Sequence, residues 1–291
     1  MHDGGDLMSE TFFDAYDELL DRWGPDVERL DVPTPYGTTR VNCLGPQGAP
    51  PLILLPGGGD SAASWFANAP AWARTHRVLA VDLIGDVGRS TVARGRRIGS
   101  VADLNRWLDT LIEELGLERT TLAGHSYGAW IALHHALASS RVDRLALLDP
   151  TSCFTGYRPG YLLHALPMLL APTPARVRSF LGWESRGARL DPAWLALQEA
   201  AAGFEKARPV TGPRPDPEAV RDLRTPVLLL LAGGSRAHDT SRVATAAARL
   251  LPHAELSVLP GTGHHGLQHL AAHEVNEKVG AFIGSPRRTE G

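Results

Sequence analysis

Residues 120–133 read TTLAGHSYGAWIAL, and the order of residue types in this stretch decides the reading of the whole chain. A short apolar run leads into GHSYG at 124–128, and an Ala- and Leu-rich run continues to about 138 with the character of a buried helix. Strand, tight turn and helix therefore follow one another with Ser126 on the turn. A serine presented this way needs small neighbours, because the backbone is strained and adjacent strands crowd it. Gly124 and Gly128 supply the room. The pattern G-x-S-x-G alone is a weak signal; its position between a strand and a helix makes Ser126 a candidate nucleophile rather than an ordinary turn serine.

Outward from this stretch the same alternation repeats. Apolar runs at 51–57 (PLILLPG), 77–83 (RVLAVDL), 144–150 (RLALLDP), 226–234 (PVLLLLAGG) and 255–261 (ELSVLPG) alternate with helical stretches over about 61–73, 101–115, 127–138, 241–251 and 268–283. Strands that are apolar throughout, spaced by helices, belong to a parallel sheet covered on both faces. Before them, residues 27–32 and 38–44 flank the turn signal PTPYG and predict an antiparallel hairpin. Phe12, Phe13, Tyr16, Leu19, Leu20 and Trp23 fall on one face of a lead-in helix that Ser9 can cap. From 151 to 225 there is no convincing strand, and only helical pieces appear, near 161–170, 175–181 and 192–204. An insertion of that length in an α/β pattern predicts a cap over a site. The expected division is a core of residues 1–150 and 223–291 with a helical cap at 151–222.

A serine hydroxyl is a poor nucleophile without a base. In this order of elements the base belongs in the loop after the last strand, where LPGTGHHG at 259–266 places His264, with His265 as the weaker alternative.

With these pieces in hand, the chain resembles the α/β-hydrolase-fold serine hydrolases over roughly residues 30–285, and within them small bacterial carboxylesterases. The resemblance rests on LLPGGG after the third strand, DLIGDVGRS after the fourth, GHSYG after the fifth and PGTGHH after the eighth. It implies an eight-stranded, mostly parallel sheet flanked by helices, with the cap inserted after the sixth strand. It also implies an oxyanion hole made by the backbone N–H of Tyr127 and of Gly58, although PGGG in place of HG-x-G leaves Gly59 as an alternative. The chain departs from the family at the acid. The loop after the seventh strand reads AGGSRAHDT, with Ser235 or Arg236 where a carboxylate is expected. Asp149, at the carboxyl edge of the sixth strand, is the preferred candidate. Asp239 is the other, with the plainer alternative of a helix N-cap.

The implied activity is hydrolysis of a carboxylic ester or related small-molecule acyl compound through an acyl-enzyme, with thioesters, lactones, C–C bonds and acyl transfer open to the same machinery. The empty acid position motivates a rival, a non-catalytic binding protein on the same scaffold; the joint presence of Ser126, His264 and Asp149 weighs against it.

Composition narrows the partners. In 291 residues, 43% are hydrophobic and 21% charged, with 29 Lys and Arg against 32 Asp and Glu. A net charge of −3 offers no broad basic field for nucleic acid. Cys43 and Cys153 lie far apart and make neither a disulfide scaffold nor a cysteine zinc site. An acidic amino-terminal stretch and the lack of an apolar run near the ~18 residues of a membrane span predict a soluble, cytoplasmic protein. There is no dinucleotide fingerprint or phosphate loop, so no cofactor is implied. His265, His269 and His273 share an i, i+4, i+8 spacing, but no carboxylate or cysteine set completes a metal site. Trp65, Trp72, Trp107 and Trp130 read as core, whereas Phe154, Tyr157, Tyr161, Met168, Phe180, Trp183 and Trp194 are candidates to line an acyl or alcohol pocket. Oligomeric state leaves no signature in the sequence.

Overall fold

The apolar runs pair into one sheet. The computed structural model describes residues 3–207 and 209–285. Its strands are β1 (Glu28–Thr34), β2 (Gly37–Leu44), β3 (Pro51–Leu55), β4 (Arg77–Val81), β5 (Thr91–Val92), β6 (Thr120–His125), β7 (Val142–Leu148), β8 (Val227–Ala232) and β9 (Glu255–Leu259). The order across the sheet is β1-β2-β4-β3-β6-β7-β8-β9. β1 and β2 form the expected antiparallel hairpin and β2 runs antiparallel to β4, while every pair from β4 to β9 is parallel. The two-residue β5, which pairs with Gly37 and Thr38 of β2, has no apolar run to announce it.

Strand pleating sends successive side chains to opposite faces, and both faces are covered. In β3, Leu52 and Leu54 join one buried cluster and Ile53 and Leu55 the other. The first cluster takes in α1 (Asp3–Asp21), α2 (Ala69–Trp72) and α11 (Ala272–Gly284); the second takes in α3 (Val101–Glu114), α4 (Tyr127–Ala138) and α9 (Thr240–Leu250). Trp65, Trp72, Trp107 and Trp130 are all buried, and the Trp107 indole N–H donates to Thr39 Oγ1 at 2.9 Å.

Three expected boundaries move. α1 begins at Asp3, well before Ser9, so Ser9 is an interior residue and not a cap, while Phe12, Tyr16, Leu19, Leu20 and Trp23 are buried as expected. The helix expected over 61–73 is a 3-10 turn (Ala62–Trp65) followed by the short α2, because Pro70 has no N–H to continue a single helix through Asn68. The last helix is split at Ala271 into α10 (Leu267–Leu270) and α11. Between β7 and β8 lie α5 (Pro159–Leu170), α6 (Pro174–Glu184), α7 (Pro192–Ala200), a 3-10 turn (Ala201–Gly203) and α8 (Pro217–Asp222). All four helices open with proline in the first turn, where a missing N–H costs nothing. No helix among the described residues is long and apolar enough to cross a membrane.

The sheet order positions the site. From β3 the chain moves outward to β4, and then returns to the other side of β3 as β6. The loops leaving β3 and β6 thus diverge at a topological switch point, where open α/β sheets form crevices. GGG at 57–59 and Ser126 occupy its two sides.

Candidate active site

Ser126 sits between β6 and α4 at φ 53° and ψ −112°, a conformation most side chains avoid. The turn closes only because both flanking positions lack a Cβ. One on Gly124 would stand 2.5 Å from the Gly128 carbonyl carbon, and one on Gly128 would stand 2.2 Å from the Leu55 carbonyl oxygen. The turn also leaves Tyr127 as the first residue of α4, so its N–H is one of those without an intrahelical acceptor.

Ser126 Oγ lies 2.8 Å from His264 Nε2, and His264 Nδ1 lies 2.6 Å from Asp149 Oδ2. All three side chains are buried. Burial alone would raise the Asp149 carboxyl, but hydrogen bonds from His238 and His264 overcome it and hold the group well below the usual carboxylate range. An ionised carboxylate only accepts, so His264 carries its proton on Nδ1, and Nε2 is free to accept from the serine hydroxyl. The second carboxylate oxygen, Oδ1, accepts the Ala232 N–H at 2.9 Å and the His238 Nε2–H at 3.1 Å.

Of the two candidate acids, only Asp149 reaches His264. Asp239 caps α9, accepting the Arg242 N–H at 3.1 Å, and pairs with Arg158 at 3.1 Å near the surface. The loop after β8 sends a histidine to the site in place of the expected carboxylate. His238 has no distinguishing pattern in the sequence, although it lies in the loop that lacks the expected carboxylate.

Gly57 and Gly58 pass directly over the turn. A Cβ on Gly57 would lie 3.6 Å from Ser126 Cβ, and one on Gly58 would lie 3.4 Å from Tyr127 Cβ. The N–H of Gly59 is committed to Asp86 Oδ2 at 2.8 Å. Burial raises the Asp86 carboxyl, against the pull of nearby Lys206 and this bond.

Two further imidazoles surround His264. His125 donates from Nε2 to the His264 carbonyl oxygen at 3.0 Å, and His265 Nε2 shares a hydrogen bond of 3.0 Å with the Tyr161 hydroxyl. Burial, and then the neighbouring His264, push both well below the ordinary histidine value, so both are neutral near pH 7. Among the described residues no three His, Cys, Asp or Glu side chains gather to hold a metal; the break at Ala271 separates His269 from His273.

A pocket of ≈ 80 Å³ lies beside the Tyr127 ring, lined by Leu83, Ile84, Leu104, Trp107 and Ile131 together with Asp86. Val210 closes it, and the Tyr127 hydroxyl donates to the Val210 carbonyl at 3.1 Å. The aromatic residues expected to line a pocket lie elsewhere. Tyr161 and Trp183 border an open groove with Arg158, Arg186 and Arg236, while Trp194 is buried and donates to Ser64 Oγ at 3.2 Å.

The sequence profile of the Alpha/beta hydrolase family matches residues 52–278. Carboxylesterase YbfK of Bacillus subtilis is 30% identical over 284 residues, covering 94% of this chain and 93% of the relative. The crystal structure of that enzyme, carboxylesterase CesB (YbfK), superposes with a TM-score of 0.88 at 26% identity, covering 96% of this chain and 99% of the other. Naproxen esterase (carboxylesterase NP) of Bacillus subtilis superposes with a TM-score of 0.86 at 28% identity, covering 94% and 98%. The chain belongs to the alpha/beta hydrolase family and within it is similar to these carboxylesterases.

Proposed function

We propose that the protein is a serine carboxylesterase acting on small-molecule esters, with Ser126 as nucleophile, His264 as general base and acid, and Asp149 as the triad carboxylate. The observation that carries this reading is the unbroken line from Ser126 Oγ through His264 to Asp149, at 2.8 and 2.6 Å, with the tautomer set by an ionised acid. In this mechanism Ser126 Oγ attacks the ester carbonyl carbon while its proton passes to His264 Nε2. Asp149 stabilises the imidazolium without taking the proton. The negative charge on the former carbonyl oxygen is met by the N–H groups of Tyr127 and Gly58. Gly58 is preferred to Gly59 because the Gly59 N–H is already bound to Asp86. Collapse returns the proton from His264 to the leaving alkoxide oxygen, freeing the alcohol and leaving Ser126 acylated. Water then adds to the acyl carbon as its proton passes to His264 Nε2. When the bond to Ser126 Oγ breaks, His264 returns that proton to Oγ, releasing the acid and restoring the enzyme.

The segment 151–222 acts as the cap in this reading, since Tyr161 of α5 stands edge-on to His264 at 6.4 Å between ring centroids. The apolar pocket beside Tyr127 accepts a small hydrocarbon portion of the substrate. The test is labelling with a fluorophosphonate together with an acyl-chain series of p-nitrophenyl esters. Labelling and turnover that disappear in Ser126→Ala support the reading; a folded wild type that takes no label and cleaves no ester refutes it.

A further inference from the structure

The peptide of His264 is held at both ends by groups outside the triad. His125 binds its carbonyl, and on the other side Glu184 Oε1 accepts its N–H at 2.8 Å. The same carboxylate reaches further. Oε1 also accepts the Arg236 N–H at 3.3 Å, and Oε2 accepts the His265 N–H at 3.3 Å. One side chain therefore gathers backbone donors from two loops, after β8 and after β9. Glu184 belongs to neither; it ends α6, in the segment between β7 and β8.

Its placement is costly. Glu184 is fully buried, stands at a helix C-terminus where negative charge is disfavoured, and forms no ion pair with Lys or Arg among the described residues. The Arg236 guanidinium, whose own backbone N–H binds Glu184, lies over the Trp183 ring at 4.5 Å from its centroid. The loop also comes as close to the carboxylate as backbone can: a Cβ on Gly263 would stand 2.8 Å from Oε2. A buried carboxylate whose hydrogen bonds, among the described residues, all come from backbone N–H groups of the two loops around His264 serves those loops.

We infer that Glu184 is a positioning residue for His264, making the productive setting of the base depend on α6 being docked. The inference rests on the reading of His264 as the general base. Withdrawing α6 leaves the N–H groups of His264, His265 and Arg236 without this acceptor, and the loop moves to satisfy them. A displacement of the base of about 1 Å costs on the order of a hundredfold in rate.

The test is Glu184→Gln, nearly equal in volume but with an amide N–H₂ replacing one acceptor. Turnover is measured per active site, titrated with a fluorophosphonate. The expected result is a fall in kcat per site of at least about tenfold with KM within about twofold, whereas a merely structural role reduces only the titratable fraction and the melting temperature. An unchanged kcat per site overturns the inference. Where Glu184→Gln does not fold, Glu184→Asp, which keeps the charge and retracts the acceptors by one methylene, is expected to show the same fall and overturns the inference if it does not. A second readout needs no turnover: the His264 Nδ1 proton shared with Asp149 gives a proton NMR line far downfield of the amides. That line is expected to shift or broaden in Glu184→Gln, and an unchanged line overturns the positioning role. A wild type without esterase activity refutes the function while leaving this line as the test of Glu184.

Discussion

His238 donates its Nε2–H to Asp149 Oδ1 at 3.1 Å, on the carboxylate oxygen opposite the one held by His264. The loop after β8, where the family resemblance implies the acid, thus supplies a partner for a carboxylate that has come from the end of β7. Asp149 is buried completely, and its carboxylate accepts three hydrogen bonds, from two imidazoles and the Ala232 N–H. A carboxylate so enclosed cannot rotate away from His264 without stranding a buried donor.

Asp149→Asn is expected to lower kcat on a short p-nitrophenyl ester by about 10³- to 10⁴-fold, because an amide cannot hold the Nδ1–H tautomer. Asp239→Asn is expected to keep activity within about twofold, since Asn also caps helices. Steady-state kinetics on the two purified variants decide between the acids, and the reverse pattern refutes the assignment.

His238→Gln and His238→Ala separate the supporting bond from the proposed triad. Loss of one hydrogen bond to a charged group is worth about 1.5–3 kcal/mol, so His238→Ala is expected to lower kcat roughly ten- to a hundredfold, well short of Asp149→Asn. Gln retains an N–H donor and is expected to recover part of the loss. Equal kcat in His238→Ala and the wild type, per titrated site, would show that Asp149 needs no such support.

Gly128→Ala places a Cβ 2.2 Å from the Leu55 carbonyl oxygen, with rigid backbone on both sides. The expected cost exceeds about 3 kcal/mol, among the large effects that strain and overpacking produce. Urea unfolding of the variant checks the magnitude, and a midpoint equal to that of the wild type contradicts the close approach of α4 to β3.

His269 lies against the Trp194 ring at 4.8 Å and the Phe66 ring at 6.0 Å between centroids, and burial lowers it from 6.5 to about 4. A folded value below the unfolded one means that the unfolded chain binds more protons between the two. The contribution is therefore present above about 6.5 and is lost as pH falls toward about 4. His269→Phe is expected to flatten the dependence of stability on pH between 6.5 and 5 by about 1–2 kcal/mol, measured by urea unfolding at each pH. A slope identical to that of the wild type removes His269 from the acid response.

The alternation of apolar runs with helical periods is local, and it carried most of the fold: β3, β4 and β6 to β9 fall on the expected runs, and α3, α4 and α9 match to within a residue or two. The exceptions fall where local pattern is weak. β5 has two residues, and the 3-10 turn at Ala62–Trp65 shares the composition of the helix expected there. Ser126 and His264 were legible because each sits at a fixed place relative to a recognisable strand. Glu184 was not: WESRG at 183–187 reads as the polar end of a helix, and its partners are backbone groups, which have no letter in the sequence.

The sequence by itself determined the order of the elements, the turn that presents Ser126 and the loop that presents His264, since each depends on neighbours a few residues away. It left two aspartates for one role. Only the tertiary structure decided which carboxylate meets His264, because that contact spans 115 positions in the chain and depends on the order of strands in the sheet. β7 lies beside β6 and carries Asp149 to the same edge as Ser126, whereas the capping geometry of α9 turns Asp239 toward Arg158 and away from the site. Local pattern fixes conformation; the proximity of buried charges is a property of the folded sheet.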